Sequence, residues 1–263
     1  MAAASDLAVV ICHGSYHTPA PYTPLVEALR SRGIEAHCPQ LRSSDLSKMN
    51  VGDVNNPDFN LGPPAGGYPQ GEEDLKVVLG VLNPVVDRGK RVILLAHSSG
   101  GWVATEAARP ELQAKHRKAS GLPGGIIGIL YMGAFIIPVG ESVHSFFQPK
   151  DGSFVTPPFM KFHKHGGAGL GTIAQKWAQT LTASPVLTTK LTNDAYSNLP
   201  CAYLVLDRDL TLPREYQEGM AVAQGEKTGA FTMYHCSSGH SPHLSRTEEV
   251  VSTIQDFAEK INV

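Results

Sequence analysis

Short runs of apolar, often β-branched residues punctuate this chain, and between them apolar positions fall three and four apart. The first pattern predicts buried strands at residues 7–13, 34–38, 92–95, 126–132, 201–206 and 231–235; the second predicts the helices that connect them. Strands that are apolar throughout, rather than alternating, belong to sheets covered on both faces, which are mostly parallel. Local signals sharpen the helices. Thr23 reads as an N-cap with Pro24 at the first helical position, and Leu25, Leu29 and a stop at Gly33 complete a short amphipathic helix. Leu75, Val78, Leu79, Leu82 and Val86 trace a second, and a third starts after Gly100 and runs through Trp102, Val103 and Ala107 towards Pro110. Near the C-terminus Ser245 and Glu248 have capping-box spacing, and Val250, Val251, Ile254, Phe257, Ala258 and Ile261 mark one face. The expected fold is α/β, a mostly parallel sheet of about six strands with helices on both faces.

Two stretches break this rhythm. Residues 42–71 are rich in Ser, Asn, Asp, Gly and Pro, too long and polar for an ordinary connection, and are expected to border the entrance of a site. After Met132 the chain carries Pro138, Pro149, Pro157 and Pro158 and a Gly-rich run at 166–171, with no strand–helix alternation before Cys201. Residues 137–197 are therefore expected to form a lid inserted into a core made of 1–136 and 198–263. Its aromatics (Phe146, Phe147, Phe154, Phe159, Phe162, Trp177) suggest an apolar surface of its own. Phe146 and Trp177 are candidates for the substrate pocket, although buried aromatics more often pack than bind.

Composition narrows the function. The 263 residues hold 22 Lys and Arg against 24 Asp and Glu, a net charge of −2, with no basic run that would track phosphates, so nucleic acid is not an expected partner. Cys12, Cys38, Cys201 and Cys236 are far apart and form no C-x-x-C pair, which predicts reduced, buried thiols and no zinc site. The start M-A-A-A-S-D lacks a basic, apolar leader, and the run from Leu7 to Cys12 is far too short to span a membrane. A soluble, cytoplasmic protein is expected; oligomeric state is left open, and a homodimer is compatible with the sequence.

The chemistry concentrates where strand Val92-Ile93-Leu94-Leu95 runs into Ala96-His97-Ser98-Ser99-Gly100-Gly101 and a helix. Strand, sharp turn and helix are the context of a nucleophile elbow with Ser98 at its tip. The turn demands small residues two before and two after the nucleophile; Ala96 and Gly100 meet that demand. Ser99 is the competing hydroxyl, but it would put His97 and Gly101 at those positions, a worse fit.

On these residues the chain resembles the α/β-hydrolases, nearest to the compact group that holds plant methyl esterases, hydroxynitrile lyases and related fungal and bacterial esterases. The likeness spans nearly the whole chain and includes the His13-Gly14 turn after the first strand. It implies an oxyanion hole made by the backbone N–H groups of Ser15 and Ser99, with side-chain identity at 15 and 99 of little account. It also implies a triad acid after a late strand, at Asp207-Arg208-Asp209-Leu210-Thr211-Leu212-Pro213. The family's D-x-x-x-P pattern favours Asp209, with Asp207 as the rival. The histidine is expected in Ser238-Gly239-His240-Ser241-Pro242, as His240. His243 reads as an ordinary surface histidine, His235 as the end of a strand, and His163 and His165 as solvated. Chain order is then Ser98, Asp209, His240, with no cofactor and no metal.

The resemblance thus implies hydrolysis of a small, fairly apolar carboxylic ester or lactone through an acyl-enzyme. Hydroxynitrile cleavage is the first alternative, but lyases of the plant group carry Lys after the catalytic His and Thr near the first turn, where this chain has Ser241 and Gly14. A non-hydrolytic cyclase or ligand receptor on the same scaffold is the second. Tyr16 and His17, following the first turn, are expected either to face the pocket or to pack the turn.

Overall fold

The computed structural model describes residues 6–147, 151, 160–164, 170–173, 181–183 and 187–261. Six parallel strands form its centre: β1 (Leu7–Cys12), β2 (Glu35–His37), β3 (Arg91–His97), β4 (Gly125–Met132), β8 (Cys201–Leu206) and β9 (Thr232–Cys236), in the order β2-β1-β3-β4-β8-β9. Every pairing is parallel, so the expected sheet is realised with no antiparallel member. Cys12 lies opposite Ala96, Ala96 opposite Tyr131, and Tyr131 opposite Tyr203.

Alternate residues of the four inner strands β1, β3, β4 and β8 feed two cores, while the edge strands β2 and β9 contribute to one. Val10, Cys12, Leu94, Ala96, Tyr131 and Tyr203 pack beneath α2 (Gly71–Asp87) and α3 (Gly100–Ala107). Val9, Ile11, Ile93, Leu95, Leu130 and Leu204 pack beneath α1 (Thr23–Ser31) and α8 (Thr247–Lys260). Complete burial of side chains such as Ile11, Ile93 and Leu95 stabilises the fold by roughly 1.5–3 kcal/mol each. This two-sided burial is why the inner strands read as unbroken apolar runs; the edge strands β2 and β9, expected to be buried too, are instead partly exposed because each has a neighbour on one side only. The remaining helices are α4 (Ala114–Ala119), α5 (Val143–Phe147), α6 (Arg214–Thr228) and α7 (Pro242–Ser245).

Several helix ends differ from expectation. Thr23 is already helical, because the turn Ala20–Tyr22 runs into α1 and leaves Tyr22 as the N-cap. The second helix starts four residues earlier than its first periodic position, at Gly71, where the Glu73 carboxylate accepts from the Gln70 N–H at 2.8 Å. Ser245 does not cap α8. Pro242 nucleates its own helical turn, α7 consumes Ser245, and α8 begins at Thr247 after an Arg246 N-cap that makes no side-chain bond.

Between β4 and β8 a small antiparallel sheet occurs, β5 (Met160–Phe162), β6 (Leu170–Ile173) and β7 (Leu181–Ala183), where no regular element was expected. The segment's two ends meet: Gly140 N–H donates to Leu191 O and Leu191 N–H to Glu141 O, each at 2.8 Å. The buried Glu106 of α3 then accepts from the N–H groups of Thr192 at 2.9 Å and Asn193 at 3.1 Å. All four cysteines are free; Cys12, Cys201 and Cys236 are buried, whereas Cys38 is partly exposed. Among the described residues no helix is long and apolar enough to cross a membrane.

Candidate active site

In a parallel sheet every strand points its C-terminal end the same way, and ligands gather where the strand order reverses. Here the chain moves from β1 outward to β2 and returns to β3 on the other side, so the reversal lies between β1 and β3. Ser15 follows β1, Ser98 follows β3, Asp209 follows β8 and His240 follows β9, all at this one edge.

Ser98 has φ 53°, in the left-handed region that a residue with a Cβ enters at a cost of about 1–3 kcal/mol. Its surroundings impose that conformation. The Ser98 carbonyl accepts from Gly101 N–H at 3.1 Å and Phe135 N–H at 3.0 Å, closing the turn onto the loop that leaves β4. A Cβ at Gly100 would lie 2.0 Å from the Cys12 carbonyl oxygen, so only glycine lets α3 start against β1. A Cβ at Gly14 would sit 2.9 Å from that of Ser98, which shows how closely the first turn approaches the elbow.

Asp209 and His240 are joined. His240 Nδ1–H donates to Asp209 Oδ2 at 2.6 Å, while Oδ1 accepts from the N–H groups of Thr211 at 2.8 Å and Leu212 at 3.0 Å. Three donors on a carboxylate whose side chain has no solvent exposure fix its orientation and, through it, the imidazole tautomer. His240 is thereby left with a bare Nε2. Among the hydrogen bonds of the described residues, none joins the Ser98 hydroxyl to His240; such contacts often tighten only when a substrate is bound. Asp207 is engaged elsewhere, accepting from His235 Nδ1 at 3.0 Å and facing Arg214 at 3.4 Å.

The oxyanion turn departs from expectation in one respect. The Ser99 hydroxyl accepts from the Ser15 N–H at 2.7 Å and lies 2.7 Å from the Ser15 hydroxyl. The side chain at 99 therefore matters, because it occupies one of the two expected N–H donors. Beside this pair runs a narrow crevice walled by Leu41, Trp102, Val103 and Val143, with Ser43 and Asp74 at its polar end. Ser43 donates to the Asp74 carboxylate through N–H at 2.9 Å and Oγ at 2.6 Å; burial outweighs these bonds and pushes that carboxyl up to about 6. The start of the polar 42–71 segment thus borders the crevice.

The remaining expected pocket residues are placed variously. Tyr16 is buried with φ 65°, and His17 turns inward, its ring stacked on His97 at 5.5 Å. Phe146 is exposed, set edge-on to Phe147 in a separate groove with Pro138 and Tyr216. Trp177 and His165 lie outside the described residues. His163 is not free in solvent but packs edge-on to Phe59 at 5.1 Å.

His243 is a correction. It is fully buried, stacked on the Tyr22 ring at 4.1 Å, with neither ring nitrogen hydrogen-bonded. It sits there because α7 packs against α1 and the Ala20–Tyr22 turn that carries Tyr22. It belongs to a group of buried imidazoles, His13, His17, His97 and His243 around Tyr22, that no periodic pattern announces. Burial holds these rings neutral, bringing His13 down to about 4, His243 to about 3 and His17 to about 2. The one signal available was density: His13, His17 and Tyr22 fall within ten residues of one another directly after β1.

Known proteins agree with this architecture. An "Alpha/beta hydrolase nvfD" of Aspergillus novofumigatus is 28% identical over 272 residues, covering 95% of this chain and 96% of that protein. Among solved structures, a pyrethroid hydrolase from Sphingobium faniae superposes with a TM-score of 0.68 at 19% identity, covering 96% of this chain and 97% of that one. A polyneuridine aldehyde esterase does so with 0.66 at 17% identity, covering 97% and 100%. The model of the alpha/beta hydrolase family matches residues 9–253, and the chain is a member of that family.

Proposed function

We propose that this protein is a serine hydrolase that cleaves a carboxylic ester or lactone of a small, fairly apolar molecule. The observation that carries the reading is the buried Asp209 carboxylate bound at 2.6 Å to His240, on the same sheet edge as a serine held at φ 53°. The esterases among the similar structures support ester cleavage over other hydrolytic reactions.

A serine hydroxyl is a weak nucleophile at neutral pH, so His240 Nε2 takes its proton as Ser98 Oγ attacks the carbonyl carbon. Asp209 stabilises the imidazolium that results. The tetrahedral oxygen is received by the N–H of Ser99 and, once the Ser99 hydroxyl gives way, by that of Ser15; each such donor is worth about 3 kcal/mol in the transition state. The imidazolium returns the proton to the leaving alcohol, and water, activated by the same base, releases the acid. As it stands the crevice is no larger than a water molecule, so it must open for the substrate; Val143 and Leu187, from the segment between Gly140 and Leu191, line it and are the side chains that would move.

The test compares wild type with Ser98→Ala on p-nitrophenyl esters of increasing chain length and on simple lactones. Turnover by wild type alone, with fluorophosphonate labelling of Ser98, is expected. Equal turnover by both proteins removes Ser98 from the reaction; cyanide release from mandelonitrile without ester turnover would overturn the ester reading.

A further inference from the structure

His97, the last residue of β3, is fully buried and has both ring nitrogens engaged. Its Nε2 lies 2.7 Å from the backbone carbonyl of His240. A carbonyl oxygen only accepts, so Nε2 carries the hydrogen. Burial keeps the ring neutral, which leaves Nδ1 as a bare acceptor 2.5 Å from the Tyr22 oxygen. Tyr22 must therefore donate its single O–H to His97. Its oxygen in turn accepts from Gly14 N–H at 3.2 Å and from His17 Nδ1 at 3.0 Å. Every proton in the chain is assigned: Gly14 and His17 to Tyr22, Tyr22 to His97, His97 to the His240 carbonyl. The chain joins the oxyanion turn, the residue preceding Ser98 and the loop carrying the base.

From this geometry we propose that His97 is a positioning residue: it holds the backbone of His240 at the height of the nucleophile, and Tyr22 fixes the tautomer that lets it do so. The inference rests on the reading of His240 as the base. Asp209 sets the direction of the His240 ring; the bond from His97 sets where the ring's backbone stands. A displacement of about 1 Å at a reacting group can cost about 100-fold in rate, which is the scale expected here.

Glutamine at 97 can extend an amide N–H to the same carbonyl, leucine cannot, and Tyr22→Phe removes only the tautomer lock. The rates of p-nitrophenyl ester turnover and of fluorophosphonate labelling of Ser98 are measured for His97→Leu, His97→Gln and Tyr22→Phe. Melting temperatures and the low-field proton resonance of the His240–Asp209 bond are recorded alongside. The leucine variant is expected to lose about 100-fold in kcat and labelling rate with little change in KM, and glutamine to recover about tenfold of that. Tyr22→Phe is expected to lose about tenfold and to broaden the low-field resonance.

Leucine and glutamine variants that are equally impaired, or a folded leucine variant labelled at the wild-type rate, overturn the proposal. If the leucine variant does not fold, wild-type labelling and resonance in Tyr22→Phe overturn it instead. Wild type that resists labelling altogether means that the serine hydrolase reading has failed, a different outcome from labelling that ignores residue 97.

Discussion

The Ser99 hydroxyl rests 2.7 Å from the backbone nitrogen of Ser15 and takes the hydrogen bond that the proposed mechanism assigns to the substrate oxygen. Displacing a hydrogen-bonded hydroxyl costs about 0.5–1.5 kcal/mol. Ser99→Ala should therefore raise kcat/KM on p-nitrophenyl esters a few-fold. A tenfold or greater loss would instead make the Ser99 hydroxyl itself a donor to the oxyanion.

Asp209→Asn preserves shape but presents an amide where the imidazole needs an acceptor with charge. By analogy with other Ser-His-Asp sites, kcat should fall by about 10⁴. Asp207→Asn, which breaks only the bond to His235 and the contact with Arg214, should leave kcat within about twofold, as expected of an exposed ion pair. Comparable losses in the two variants would dismantle the assignment of the acid.

At Gly100 an added methyl group meets the Cys12 carbonyl oxygen at 2.0 Å, backbone against backbone, with no side chain able to yield. Gly100→Ala is expected to cost at least about 3 kcal/mol, the upper end for overpacking. Denaturant unfolding measures it; a variant of wild-type stability would show that α3 can start elsewhere.

Acid should destabilise this protein through its imidazoles. In the unfolded chain each titrates near its ordinary value of about 6.5, while His13, His17, His97 and His243 stay neutral in the fold far below that. Stability from these groups is complete above about pH 6.5 and is lost as pH falls, with a limiting slope of about 5 kcal/mol per pH unit for four protons. Asp74 acts in the opposite sense. Its folded carboxyl, raised to about 6, takes a proton that the unfolded chain does not take until lower pH, returning about 1.4 kcal/mol per pH unit between about pH 6 and 4. The net expectation is a steep fall in urea midpoint between pH 7 and 5. His243→Phe should flatten it by about one proton and, by removing two unpartnered buried nitrogens, add about 1 kcal/mol at neutral pH. An unchanged slope in that variant would show that His243 is charged in the fold.

The sheet was legible because burial on both faces leaves no polar alternation to obscure the strands, as in the run Ile93-Leu94-Leu95 of β3. Ser98 and His240 were singled out because each sits in a short small-residue turn after a strand, although β9, before His240, alternates exposed and partly buried positions. Asp209 needed the family's spacing to Pro213, since Asp207 satisfies composition equally well; only the direction of the two carboxylates separates them. His243 and His97 were not legible, because a buried imidazole and a solvated one look the same in sequence and differ only in what packs over them. Ser245 misled for a related reason: the helical turn begun by Pro242 competes for the residue that the spacing offers as a cap.

The paired bonds between Gly140, Glu141 and Leu191 tie the two ends of this segment together, with Glu106 clamping the return, and further bonds, from the Gly71 N–H to the Thr189 hydroxyl and from the Lys164 N–H to the Asn60 side chain, moor it to the body. A change of sequence within the segment could alter what lies beside Ser98 while the strands that enter and leave it keep their pairing. Selection for a new substrate and selection for a stable scaffold would then act on separate stretches of the same polypeptide.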